Sequence, residues 1–73
     1  MADVVLGAMC VVERRFSHVP RSDPPQNRYQ TVITRLTPAR AYLGTDWFSL
    51  GDPNREVKPR YLDYRTYVVE VKP

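Results

Sequence analysis

Three stretches of the chain concentrate the apolar and β-branched residues, and polar, proline-bearing segments separate them. The first, Met1 to Phe16, contains Val4-Val5-Leu6 and Val11-Val12, apolar at successive positions and so on both faces of an extended chain. That pattern predicts a strand, Val4–Phe16, buried on both sides. Its valines and Gly7 count against a helix, and a glycine inside a strand marks a bulge or a close backbone approach. At Glu13-Arg14-Arg15 the pattern turns polar, so the strand emerges into solvent there. The second stretch, Tyr29 to Leu36, alternates Tyr29-Thr31-Ile33 with Gln30-Val32-Thr34-Leu36 and reads as another strand. The third, Tyr61 to Val71, is the densest run of strand-favouring residues and holds Tyr61, Tyr64 and Tyr67. It is predicted to be the central strand. Its apolar face switches between Tyr64 and Tyr67, and a bulge at Arg65-Thr66 would restore one continuous apolar face.

The segments between have their own chemistry. Residues 17–28 form a proline-rich loop, because Pro20, Pro24 and Pro25 cannot donate ladder hydrogen bonds and Ser22-Asp23-Pro24 is turn chemistry. Arg14, Arg21, Arg28 and Arg35 recur every seven residues, yet these prolines forbid the helix that would align them. Thr37-Pro38-Ala39-Arg40-Ala41-Tyr42-Leu43-Gly44 predicts a short helix over Pro38 to Leu43. Thr37 would cap it, Pro38 would take its first position, and Gly44 would end it in the left-handed conformation. Two turns of helix are not stable alone and must dock on the sheet. Trp47 or Phe48, with Leu50, is expected to seal the core beneath it. Asp52-Pro53-Asn54-Arg55 is a turn, and Glu56-Val57-Lys58 a short edge segment ended by Pro59. The fold expected is therefore α+β: a single domain over residues 1–73, with an antiparallel sheet of three or four strands and one short helix packed on it.

Length limits what such a domain can do. A chain of 73 residues builds one small core and buries only about 60% of its unfolded surface. One cysteine, Cys10, excludes an internal disulfide, and its apolar surroundings read as a buried small hydrophobe rather than a reactive thiol. One cysteine and one histidine, His18, cannot make a zinc site, so no metal and no cofactor are expected. The apolar run from Val4 to Val12 is shorter than the roughly 20 residues a helix needs to cross a bilayer, so no membrane association is expected and a reducing cytosolic setting fits.

Net charge is +3, and nine of the eleven basic residues are arginine, which suits planar recognition of carboxylate or phosphate. The charge is spread evenly. Residues 1–30 carry four basic and three acidic groups, and residues 31–73 carry seven and five. Strong nucleic-acid binding draws on clustered charge, so direct nucleic-acid binding ranks behind protein binding. Catalytic sets are missing. Ser17, His18 and Asp23 share a proline loop without a scaffold, and the stretch from Gly44 to Gly51 lacks the residues of a phosphate-binding loop. The expectation is a protein without enzymatic activity. What remains is a surface rich in tyrosine and arginine, residue types enriched in interface hot spots. Arg14, Arg15 and Phe16 end one strand, and Tyr61, Tyr64, Arg65 and Tyr67 lie along another. These seven are the candidate partner-binding residues.

The opening Met1-Ala2-Asp3-Val4-Val5-Leu6-Gly7-Ala8-Met9-Cys10-Val11-Val12 run, the overall length and the arginine-rich body resemble the small host-takeover proteins of lytic phages. More narrowly, the chain resembles the RNA polymerase inhibitors and antiterminators of the kind made by a lytic Xanthomonas phage. The resemblance implies a monomer in the host bacterial cytoplasm that binds the N-terminal segment of the RNA polymerase β′ subunit. It would inhibit transcription initiation and promote antitermination, touching nucleic acid only indirectly. A small nucleic-acid-binding regulator, or an inhibitor of another host protein such as a defence nuclease, is the alternative.

Overall fold

The computed structural model describes residues 4–20 and 22–72. Met1 to Asp3, at the head of the first apolar stretch, and Arg21, in the expected seven-residue series, lie outside the described residues. Among the described residues seven strands make the fold: β1 (Met9–Phe16), β2 (Asn27–Val32), β3 (Arg35–Leu36), β4 (Arg40–Leu43), β5 (Asp46–Ser49), β6 (Val57–Lys58) and β7 (Tyr64–Lys72). They form two antiparallel sheets, a three-stranded one in the order β2-β1-β7 and a four-stranded meander β3-β4-β5-β6. The protein is all-β, and the α+β expectation is corrected.

The helix expected from Pro38 to Leu43 is instead a hairpin turn followed by β4. Thr37 does accept backbone N–H groups through its hydroxyl, from Ala39 at 3.3 Å and Arg40 at 2.9 Å. It uses them to close a turn, because its own N–H donates to the Arg40 carbonyl at 2.9 Å. Side-chain oxygens that cap helices cap turns by the same bond. After the turn the chain alternates: Ala41 and Leu43 are buried, while Arg40 and Tyr42 point outward. Gly44 does have positive φ, at 77°, but as the first residue of a two-residue β4–β5 hairpin between Leu43 and Asp46. Glycine in that position gives a type II′ turn, whose twist matches the flanking strands.

The first strand is also shorter than expected. Val5 to Ala8 form a turn closed by the Ala8 N–H on the Val5 carbonyl at 3.1 Å, with Gly7 at φ 84°. Glycine at the third position is what a type II turn requires. The second expected strand divides at Ile33-Thr34. Its first half belongs to one sheet and its second half, β3, to the other. Ile33 is 1% exposed at the crossing point.

The core lies between the sheets. Cys10, Val12 and Val68 come from one side, and Ala41, Leu43, Phe48 and Val57 from the other, with Ala8 and Ile33 closing the edge. Cys10 is fully buried as expected. Phe48 fills the centre, whereas Trp47 faces outward and Leu50 is exposed.

β7 is not central; β1 is. The bulge exists in β7 but not at Arg65-Thr66. The β1–β7 register shifts between Val11 and Val12, which pair with Glu70 and Val68, so Val69 is the extra residue. Thr66 and Val68 are buried before the bulge, and Val71 packs on the core after it. One inserted residue keeps Thr66, Val68 and Val71 inward, whereas Tyr67 and Val69, expected to share that face with Val71, do not: Tyr67 pairs with Glu13 on the opposite face and Val69 is exposed.

Candidate functional site

At one end of the three-stranded sheet the last residues of β1 pair with the first residues of β7. The register pairs Phe16 with Tyr64, Arg14 with Thr66 and with Asn27, and Val12 with Tyr29. Arg14 and Phe16 therefore continue the face that holds Cys10 and Val12 in the core. Beyond the core that face becomes aromatic and basic. The Phe16 and Tyr64 rings stack at 5.3 Å with a 27° interplanar angle. The Arg14 guanidinium lies 5.5 Å from the Tyr64 ring centre and 5.9 Å from that of Tyr29. His18 lies 5.6 Å from Phe16.

The segment before β7 is tied to this end. The Ser17 N–H donates to the Asp63 carbonyl at 2.9 Å, and the Ser17 hydroxyl to the Leu62 carbonyl at 3.3 Å. Arg65 donates to the carbonyls of Tyr61 at 2.8 Å and Tyr64 at 3.0 Å. These bonds hold Tyr61, Leu62 and Asp63 beside Arg14 and Tyr64, around an open concavity of about 350 Å³. Leu62 is 89% exposed at its rim. Arg14 Nε is buried without a hydrogen-bond partner. Arg15 Nε, on the opposite face, is in the same state, and a buried donor without an acceptor is costly to leave unmade; a guanidinium beside a concavity suits an oxygen acceptor, best a carboxylate.

The seven candidate residues thus divide. Arg14, Phe16, Tyr61 and Tyr64 meet at this end. Arg15, Arg65 and Tyr67 lie on the opposite face, where Arg15 pairs with Arg65 across the strands and Glu13 with Tyr67. Two buried acids organise that face. Glu13 accepts from Arg15 at 2.9 Å and from Arg28. Glu56 accepts from Lys58 at 3.2 Å and Arg60 at 2.6 Å, with Arg65 Nε at 3.8 Å. The hydrogen bond from Arg28 holds the Glu13 carboxyl below the usual range, against the opposing effect of burial. Arg60 does the same for Glu56. Arg15 and Arg65 are therefore engaged within the molecule.

Tyr29 and Leu62 were missed as members of the site. Tyr29 could have been found from the spacing of a hairpin that puts it beside Arg14. Leu62 carried no signal, since one leucine in a strand-like run reads as core. Ser17, His18 and Asp23 form no catalytic arrangement: the Ser17 hydroxyl is committed to Leu62, and His18 rests against Phe16. Compared with protein families, with curated proteins and with solved structures, the chain gave no match.

Proposed function

We propose that this protein is a non-enzymatic binding protein that docks through the Arg14–Phe16–Tyr61–Tyr64 end on a host protein, and that the host protein is bacterial RNA polymerase. One observation carries the docking part. A stacked aromatic pair and a guanidinium with a buried, unsatisfied Nε sit beside an 89% exposed leucine on a tied-down segment. Rigid aromatic and arginine anchors around a concavity are what interface hot spots are made of. They select a partner segment with an apolar side chain next to an acidic one. The resemblance of the chain to phage polymerase inhibitors supports the N-terminal segment of the β′ subunit as that segment. Bound there, the protein would inhibit initiation and promote readthrough of terminators.

Affinity capture from a bacterial lysate at moderate salt tests this. The wild type is expected to retain the β′ subunit. Phe16→Ala combined with Tyr64→Ala should reduce retention at least tenfold, since truncating a hot spot costs about 2 kcal/mol or more. Arg15→Gln, on the opposite face, should not. If no polymerase subunit is retained, the assignment to polymerase fails. If the double variant, still folded by circular dichroism, binds as well as the wild type, the assigned surface fails.

A further inference from the structure

The outer face of the four-stranded sheet carries a second set of side chains. Its register places Arg35 opposite Tyr42, Tyr42 opposite Trp47, and Trp47 opposite Lys58. One row across β3, β4, β5 and β6 therefore reads Arg-Tyr-Trp-Lys. Ala41, Leu43, Phe48 and Val57 point the other way into the core, so this row faces outward. Arg40 shares the face, two residues from Tyr42. Its guanidinium lies 3.8 Å from the centre of the Trp47 ring, and that of Arg35 lies 4.1 Å from the Tyr42 ring.

These two arginines differ from the four that gather around the buried acids. Arg15, Arg28, Arg60 and Arg65 each approach Glu13 or Glu56. Among the described residues, Arg35 and Arg40 are ion-paired with no carboxylate. Both instead lie against the rings of the row, and Arg40, then Arg35, hold the Tyr42 hydroxyl below its usual pKa. Two cations thus lie over neighbouring rings, with Lys58, ion-paired to Glu56, at the end of the same row. Glu56, two residues before Lys58, is already held by Lys58 and Arg60. Along the chain these charges are dispersed among residues 35 to 58; the meander gathers them.

A surface of this kind is complementary to an anion that also presents flat rings. A carboxylate peptide would satisfy the guanidinium groups and leave the rings unused. Unpaired bases stack on tyrosine, tryptophan and guanidinium planes, while their phosphates accept from the free N–H edges. In a duplex the bases are stacked on one another and closed to a flat sheet. We infer that this face binds single-stranded nucleic acid, with bases against the Tyr42–Trp47 layer and phosphates on Arg35, Arg40 and Lys58.

Trp47 is the single tryptophan of the chain, so its fluorescence reports the face directly. The protein is titrated with a 15-mer of oligo-uridine, the same length of oligo-thymidine, a duplex of equal length, and polyphosphate. Both single strands, or one of them, should quench Trp47, and the stronger quencher identifies RNA or DNA as the ligand. With two or three phosphates held, log K should fall with log salt at a slope of about −1.4 to −2.1. Arg35→Gln with Arg40→Gln leaves Trp47 and the core in place and should weaken binding about tenfold while flattening that slope. Trp47→Leu, followed by anisotropy of a labelled oligonucleotide, should weaken it about tenfold as well. Phe16→Ala with Tyr64→Ala should bind oligonucleotide normally, which separates this inference from the polymerase assignment. It is overturned by absence of quenching at low salt, by a duplex or polyphosphate binding as tightly as the single strands, or by a double glutamine variant that binds like the wild type.

Discussion

Glu13 is the residue on which one face of the molecule depends. It sits on the central strand, 6% exposed, with Arg28 across one ladder and Arg15 two residues along. A buried carboxylate persists only when paired and hydrogen-bonded. Its pKa is depressed in the fold, first by the Arg28 hydrogen bond. Glu56, held first by Arg60, and Asp52, held first by the Glu56 backbone N–H, are depressed as well. The sign follows from linkage. Ionised carboxylates favour the fold at neutral pH, and that contribution fades as pH drops below the unfolded value of about 4 and through the lower folded values. The thermal midpoint should therefore fall steeply between about pH 5 and pH 2. Glu13→Gln should be less stable at pH 7 by about 1–2 kcal/mol, which is roughly 10 °C for a domain of this size. It should also show a shallower acid limb. Equal slopes for the two proteins would remove Glu13 from this role. None of this could be read from the sequence, where Glu13 opens a charged run that looks like a strand leaving the core. Its burial is set by Arg28 and Tyr67, which are distant in sequence and adjacent only through the ladders.

Elements show why the sequence was informative about strands and misleading about the helix. β-branched and aromatic runs located β1, β2 and β7 to within a few residues, because strand preference and burial act together there. Thr37-Pro38 and Gly44 were read as the ends of a helix; they flank a strand instead, as the five residues between Pro38 and Gly44 decide. Arg40-Ala41-Tyr42-Leu43 has period two, and over so short a span the alternation competes with alanine's helix preference. Core contacts of Ala41 and Leu43 with Phe48 and Val57 resolve the competition. The split of β2 from β3 at Ile33-Thr34 had no local mark; Thr34 is fixed by its N–H on the Tyr42 carbonyl at 2.8 Å. The turn assignment has a direct check. A Cβ at Gly44 would meet nothing within 4 Å, so Gly44→Ala should destabilise only through its positive φ, by about 1 kcal/mol. A synthetic chain with D-alanine there should recover the loss. An L-alanine variant of unchanged stability would contradict the type II′ turn.

At the scale of the whole molecule, the two sheets meet at two seams. At one, β2 runs directly into β3. At the other, Glu56 bridges to Tyr67 and the Val68 N–H donates to the Arg55 carbonyl at 3.0 Å. The molecule is elongated, 32 × 20 × 20 Å, and its two proposed binding regions belong to different sheets. The Arg14 end was partly visible in the sequence because Arg14, Arg15 and Phe16 are consecutive. The row of Arg35, Tyr42, Trp47 and Lys58 was not, because each residue comes from a different strand and only the register aligns them.

The ladder between β1 and β7 joins Met9 to Lys72, and this fixes the order in which the protein can be made. The central strand receives one of its two partners only after residues 64–72 have been synthesised. Until then Cys10 and Val12 have no Val68 to pack against, and the four-stranded meander has no seam to close on. Pairings of such long sequence separation fold on the millisecond-to-second scale rather than in microseconds. Nascent chains should accordingly stay protease-sensitive until β7 emerges. A chain ending at Asp63 should give a circular dichroism spectrum of an unfolded polypeptide, and adding residues 64–72 as a separate peptide should restore β structure in proportion to its concentration. A folded chain without β7 would show that the meander and the β1–β2 hairpin suffice.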